Sequence, residues 1–174
     1  MGGPSRSPVP LGRERTFTIY LPRVAEAPPV RDRLAEPLPT GTERLLFVDD
    51  EEALSTFARE TLVPLGYDVT VCTSSLEALA AFRATPLRFD LVITDQTMPA
   101  MTGETLVREL RHSRPDLPII LCTGYSPLID AERAAVLGID AFLLKPVEPA
   151  TLAHTIRQVL TRRKGVEGCE GTRA

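Results

Sequence analysis

Leu91-Val92-Ile93-Thr94, followed at once by Asp95, is the stretch on which the fold turns. A run this continuous reads as a strand buried on both faces, because a half-buried strand would alternate apolar and polar residues. Three more runs end the same way: Leu45-Leu46-Phe47-Val48 before Asp49-Asp50, Ile119-Ile120-Leu121-Cys122 before Thr123, and Ala141-Phe142-Leu143-Leu144 before Lys145. Helical patterns lie between them, as a parallel sheet covered on both faces requires. Residues just past the carboxyl ends of such strands line one crevice. Three carboxylates, a hydroxyl and an ammonium are therefore expected to meet at one edge.

Outward from these runs the pattern is regular. Leu54, Phe57, Ala58, Thr61, Leu62 and Leu65 recur at helical spacing, and Gly66 ends that helix. Tyr67 to Cys72 alternate as a half-buried strand, and Ser74-Ser75-Leu76-Glu77 has the spacing of a capping box opening a second helix that stops by Pro86. Thr102 is expected to cap a third helix through Leu110. An Ala-rich pattern from Ile129 to Leu137, closed by Gly138, gives a fourth, and Leu152, Ile156, Val159 and Leu160 mark a last helix running to about Arg163. Five strands alternating with five helices predict an α/β fold, a flavodoxin-like doubly wound five-stranded parallel sheet, (βα)5.

The chain has 174 residues, of which 43% are hydrophobic, enough for one packed domain plus flanking segments. A net charge of -3 with scattered basic residues offers no stripe for a nucleic-acid backbone. No stretch approaches the roughly 20 apolar residues of a membrane span, no signal segment opens the chain, and Arg6 stands where an N-acylation pattern needs Ser or Thr. The expected location is cytoplasmic. Cys72, Cys122 and Cys169 are widely spaced, so neither a zinc site nor a disulfide framework is indicated. The first forty residues hold half of the 16 prolines and read mostly as linker, apart from the β-prone island Thr16-Phe17-Thr18-Ile19-Tyr20-Leu21.

Taken alone, Asp49-Asp50 is explained by helix capping, since carboxylates accept from the free N–H groups of a first turn. Adding Asp95 changes the balance: at ~4 Å each carboxylate pair costs roughly 1 kcal/mol in water and several times that near a surface. Something positive must sit there, and Mg²⁺, which takes a few carboxylates and keeps positions for water and phosphate, suits it. Lys145 could be a plain counter-ion. A metal, a lysine and a hydroxyl around one carboxylate are also the equipment of phosphoryl transfer, with Asp95 as a nucleophile that forms an acyl phosphate without a general base.

The motifs Phe47-Val48-Asp49-Asp50-Glu51, Asp90-Leu91-Val92-Ile93-Thr94-Asp95-Gln96-Thr97-Met98-Pro99 with Gly103, Leu121-Cys122-Thr123-Gly124 and Phe142-Leu143-Leu144-Lys145-Pro146 resemble, in order and spacing, the receiver domain of two-component response regulators. The resemblance covers residues 43–163, with 164–174 left as a polar tail. It implies that Asp95 is the phospho-acceptor, that Asp50, Asp95 and the backbone carbonyl of Thr97 hold Mg²⁺, and that Asp49 acts on the ion through water. It further implies that Thr123 and Lys145 contact the phosphoryl oxygens, that Thr123 and Phe142 form a switch altering the face of the fourth helix, fifth strand and fifth helix, and that Lys145-Pro146 is cis. Thr97 and Tyr125 are expected to flank the phosphoryl group. The implied partner is a histidine kinase or histidine phosphotransfer protein, with no nucleic acid and no membrane bound by this chain.

Two positions depart from the commonest pattern: Gln96 replaces an aliphatic residue, and Ala100 stands where glycine often follows Met-Pro. Residues 1–23, through Arg15-Thr16-Phe17-Thr18-Ile19-Tyr20-Leu21-Pro22, resemble the closing strand of a histidine-kinase ATP-binding domain, and 24–42 a Pro-rich linker, as in the C-terminal part of a hybrid kinase. His154 lacks the flanking residues of a phospho-acceptor histidine, and it and His112 read as surface residues. Two other readings compete. A phosphatase of the haloacid dehalogenase type would need a second aspartate where Thr97 stands, and a pseudo-receiver usually lacks one of the acidic or lysine positions present here.

Overall fold

The computed structural model describes residues 37–124 and 137–167, with side chains to residue 163. The island at Thr16–Leu21, Tyr125, most of the predicted helix from Ile129 and the end of the tail lie outside the described residues. Strands β1 (Arg44–Val48), β2 (Asp68–Cys72), β3 (Leu91–Asp95), β4 (Ile119–Thr123) and β5 (Ala141–Leu144) form one parallel sheet in the order β2-β1-β3-β4-β5. Among the described residues four α-helices accompany them: α1 (Glu52–Leu62), α2 (Ser75–Ala84), α3 (Gly103–Ser113) and α4 (Pro149–Glu167), with a 3₁₀ turn at Pro86–Arg88. This is the doubly wound five-stranded sheet the sequence predicts.

The unbroken apolar runs are explained by two cores, one on each face of the sheet. Leu46, Val48, Val92, Ile119 and Leu121 point toward α2 and α3, while Leu45, Phe47, Leu91, Ile93 and Ile120 point toward α1 and α4. Adjacent residues of one strand thus serve opposite cores, and each fully buried Leu or Ile contributes about 1.5–3 kcal/mol relative to exposure. The helical stripes pack as their spacing requires, with Ala58 and Leu62 of α1 and Leu152, Ile156, Val159 and Leu160 of α4 in the second core.

Three local expectations need correction. Ser74 has the extended backbone of an N-cap residue, yet its side chain makes no capping bond; the neighbouring Ser75 is buried with its hydroxyl 3.5 Å from the Pro99 carbonyl, so packing against that loop sets the start of α2. The run Ala141–Leu144 is not buried throughout: β5 is a sheet edge, and Leu144 is 55% exposed. Helix α4 continues to Glu167 rather than stopping near Arg163. By contrast Thr102 does cap α3, its hydroxyl accepting from the Thr105 N–H at 3.3 Å. Gly138 has φ +68, the left-handed conformation expected of a residue closing a helix.

The register fixes where the site lies. Val48 pairs with Thr94 and Asp95 with Cys122, so the carboxyl ends of β1, β3 and β4 are level. β1 and β3 flank the point at which the strand order reverses, where open α/β sheets bind their ligands.

Candidate functional site

Asp49 leaves β1 and Asp95 ends β3, and both are almost fully buried. Two buried carboxylates side by side would repel, and each is held by specific donors. The Lys145 ammonium, delivered from the end of β5, lies 2.7 Å from Asp49 Oδ2 and 2.7 Å from Asp95 Oδ1. The remaining oxygens accept backbone N–H groups: Asp49 Oδ1 from Glu51 at 3.0 Å and Asp95 Oδ2 from Thr97 at 2.7 Å. Lys145 is itself positioned by the ladder, its N–H donating to the Thr123 carbonyl at 2.8 Å, and the Lys145-Pro146 bond that follows is cis.

These residues open onto a cavity of about 500 Å³ lined by Asp49, Asp50, Glu51, Asp95, Thr97, Gly124 and Lys145. The structure brings Asp49, Asp50, Asp95, Thr97 and Lys145 together there. Thr123 is buried at the end of β4, and it shares a sheet face with Phe142, since Leu121 pairs with Phe142 and Thr123 with Leu144. Phe142 is partly buried against the core on the α2 and α3 side. Tyr125 lies outside the described residues. Sequence reading missed three contributors: the Glu51 N–H that orients Asp49, the Ser55 hydroxyl that donates to the Asp49 carbonyl at 3.4 Å, and Gly103. A Cβ on Gly103 would come 2.2 Å from the Asp95 carbonyl oxygen, so α3 begins directly against the Asp95 backbone. Glu51 and Gly103 stand within the quoted motifs, which did not reveal what their backbones do, whereas Ser55 left no signal.

The electrostatics are unbalanced. Four acidic side chains, Asp49, Asp50, Glu51 and Asp95, line the cavity against one ammonium. Asp50 is exposed and has no ion pair among the described residues. Among the described residues no group of three acidic, histidine or cysteine side chains is arranged to hold a metal ion by itself. An all-oxygen, open, net-negative site nonetheless fits a hard divalent ion that retains several waters and takes only a few carboxylates. Neither histidine enters the site, and His112 and His154 are both exposed.

Burial alone would pull the Lys145 pKa down, but the hydrogen bonds and charges of Asp49 and Asp95 outweigh it and raise it above the ordinary 10.5. Burial also pushes the Cys72 and Cys122 thiols from 9.0 up to about 11 and about 12. All three groups hold their protons more tightly folded than unfolded, so their contributions are complete below the unfolded pKa and are lost as pH rises toward the folded one. Urea unfolding should therefore show stability declining once pH passes 9.0 and declining further beyond 10.5, with Lys145→Met shrinking the later portion, to which the Tyr67 phenol, raised above 10.0 by burial, also contributes. An alkaline limb unchanged in Lys145→Met would contradict the double ion pair.

Residues 45–157 match the family model described as the response regulator receiver domain. The chain is 32% identical over 162 residues to the sensor kinase CckA of Brucella abortus, covering 88% of this chain but 17% of that protein. It is 36% identical over 121 residues to a probable transcriptional regulator, ycf27, of Porphyridium aerugineum, covering 69% of this chain and 49% of that protein. Among solved structures it resembles a response regulator receiver domain protein from Clostridium thermocellum (TM-score 0.66, 31% identity, 71% of this chain and 98% of that one). It also resembles the chemotaxis protein CheY4 of Vibrio cholerae (TM-score 0.63, 30% identity, 68% and 99%). The paired acidic residues after β1, the aspartate ending β3 and the lysine after β5 thus stand in a fold and a sequence that agree, and the chain belongs to the response regulator receiver domain family.

Proposed function

We propose that Asp95 accepts a phosphoryl group from the phosphohistidine of a histidine kinase or histidine phosphotransfer protein. One observation carries this reading: the Asp95 carboxylate is clamped by Lys145 on one oxygen and by the Thr97 N–H on the other at the wall of an acidic cavity. An oxygen of Asp95 attacks phosphorus, the phosphorus–nitrogen bond breaks, and the imidazole nitrogen keeps the electron pair. Slow attack of water on the acyl phosphate then returns the carboxylate and inorganic phosphate.

Asp50, Asp95 and the Thr97 backbone carbonyl would hold Mg²⁺, with Asp49 acting through water. When bound, Mg²⁺ supplies positive charge opposite the phosphoryl oxygens. Lys145 pairs with two carboxylates before transfer and offsets one of their two charges; esterification moves negative charge from Asp95 outward onto the phosphoryl oxygens, and the ammonium follows it. The Thr123 hydroxyl donates a charge-assisted bond to the same group, and its inward movement frees space for Phe142 on the shared sheet face. The resulting change at β5 and the helices beside it is the signal.

The match to the sensor kinase CckA runs over 162 residues, longer than the 45–157 of the receiver model, and supports the reading that residues 1–42 belong to a hybrid kinase preceding its receiver. Thr97 in place of an acid/base aspartate and the family itself weigh against a haloacid dehalogenase-type phosphatase. Among the described residues no helix is long and apolar enough to cross a membrane.

Incubation with acetyl phosphate and Mg²⁺ should add one phosphoryl group, mapped by mass spectrometry of the borohydride-reduced protein to position 95. EDTA should reduce labelling to background. Labelling that proceeds equally without divalent ion would count against the metal-assisted reading.

A further inference from the structure

The loop from β3 to α3 carries Thr97, and it is strained. Ala100 has φ +64, a left-handed conformation that a side chain disfavours, and the Met101 N–H closes a tight turn on the Pro99 carbonyl at 2.7 Å. Such a loop keeps its shape only if its base is held. Gln96 holds that base three times: its N–H donates to the Cys122 carbonyl at 2.8 Å, its carbonyl accepts from Gly103 at 3.0 Å, and its side-chain Nε2 donates to Glu104 Oε1 at 3.2 Å in the first turn of α3. The first two bonds are made by backbone that any residue supplies. Only the third depends on glutamine.

That glutamine comes at a cost to the fold. Its Oε1 is buried without a hydrogen-bond partner among the described residues, a penalty an aliphatic side chain would not incur. The reverse amide orientation would set two oxygens against each other at Glu104. A residue that leaves an acceptor orphaned next in sequence to the reacting carboxylate needs a compensating role, and the hydrogen bond its side chain makes among the described residues is the staple to Glu104.

We propose that Gln96 is a positioning residue: its amide, anchored on Glu104, fixes the loop so that the Thr97 carbonyl and the Asp95 carboxylate hold the geometry that Mg²⁺ binding needs, at the expense of stability. This rests on the phospho-acceptor reading above and deepens it. Groups that orient metal ligands typically change affinity by 10–100-fold when removed, and Gln96 acts one step further back, so about tenfold is expected.

The test is Mg²⁺ affinity, read from amide chemical shifts during titration and therefore independent of phosphorylation, in the parent protein, Gln96→Leu, Glu104→Ala and Glu104→Gln. Gln96→Leu should bind Mg²⁺ about tenfold more weakly yet unfold at no lower urea concentration than the parent; Glu104→Ala should match that loss of affinity. Glu104→Gln, which keeps an acceptor oxygen, should remain within about twofold of the parent, and saturating Mg²⁺ should restore the labelling rate of Gln96→Leu. Parent-like affinity in Gln96→Leu overturns the proposal and leaves the phospho-acceptor reading standing. A weakened affinity accompanied by an equal loss of stability reduces Gln96 to a structural residue. A parent that binds no Mg²⁺ overturns both readings together.

Discussion

Replacing Asp95 by asparagine should reduce acyl-phosphate formation to background while leaving the protein folded. The amide has nearly the shape of the carboxylate and its oxygen can still accept the Thr97 N–H, now 2.7 Å from Asp95 Oδ2. What it lacks is an anionic oxygen able to attack phosphorus from the place that Lys145 and the Thr97 N–H hold. Among the described residues Asp49 is the one other carboxylate in contact with Lys145, but it is 1% exposed and its two oxygens are committed to Lys145 and the Glu51 N–H. The fold should tolerate the change, because Lys145 keeps Asp49 as partner and one buried negative charge is removed from an acidic cavity. Phosphate labelling followed by urea unfolding checks both halves. Labelling of Asp95→Asn at the parental rate would mean that another residue is the acceptor, whereas an unfolded variant would mean that Asp95 serves chiefly as the partner of Lys145.

What could be read in advance follows from which forces leave a local trace. Leu91 to Thr94 announces a two-sided strand because both of its faces need apolar residues, and Asp95 announces the site because nothing but function or a metal justifies a carboxylate at that point. The double engagement of Lys145 was only half legible: its place after β5 assigns it to the crevice, but its contact with Asp49, 96 residues away in sequence, depends on the sheet order. Leu144 was misjudged for the same reason, since a run of apolar residues looks alike in a central strand and at an edge. Ser74 failed as a cap because the capping spacing is a local preference of about 1 kcal/mol, easily overridden by the packing of Ser75 beneath the Pro99 loop. The segment between Gly124 and Leu137, on which any account of the switch also depends, lies outside the described residues.

Substituting Asp140 by alanine should cost about 3 kcal/mol of stability, as removing one partner from a mostly buried ion pair does. This residue has no role in the chemistry; it sits at the opposite end of the strands and was invisible in the sequence, because its partners are distant in the chain and follow no period. Its Oδ2 accepts from Arg111 at 3.2 Å and from the Ile119 N–H at 2.9 Å, and its Oδ1 accepts from Arg163 Nε at 2.9 Å and Nη2 at 2.7 Å. One carboxylate therefore ties α3, the start of β4, the approach to β5 and the end of α4. Most of the cost should come from Arg111, whose side chain is 16% exposed and whose burial already pulls its pKa below the ordinary 12.5 against the opposing pull of Asp140. Arg111 also donates to the Gly138 carbonyl, so losing its counter-charge loosens the residue that closes the preceding segment. Arg163 is 37% exposed, and Arg163→Ala should cost less than about 1 kcal/mol. Asp140→Asn, which retains an acceptor for Ile119 but no charge, should fall between the two. Urea titration of the three variants at neutral pH gives the order directly, and phosphate labelling of Asp95 in the folded fraction should stay at the parental level. Equal midpoints for Asp140→Ala and Arg163→Ala would show that the Arg111 half of the network contributes nothing.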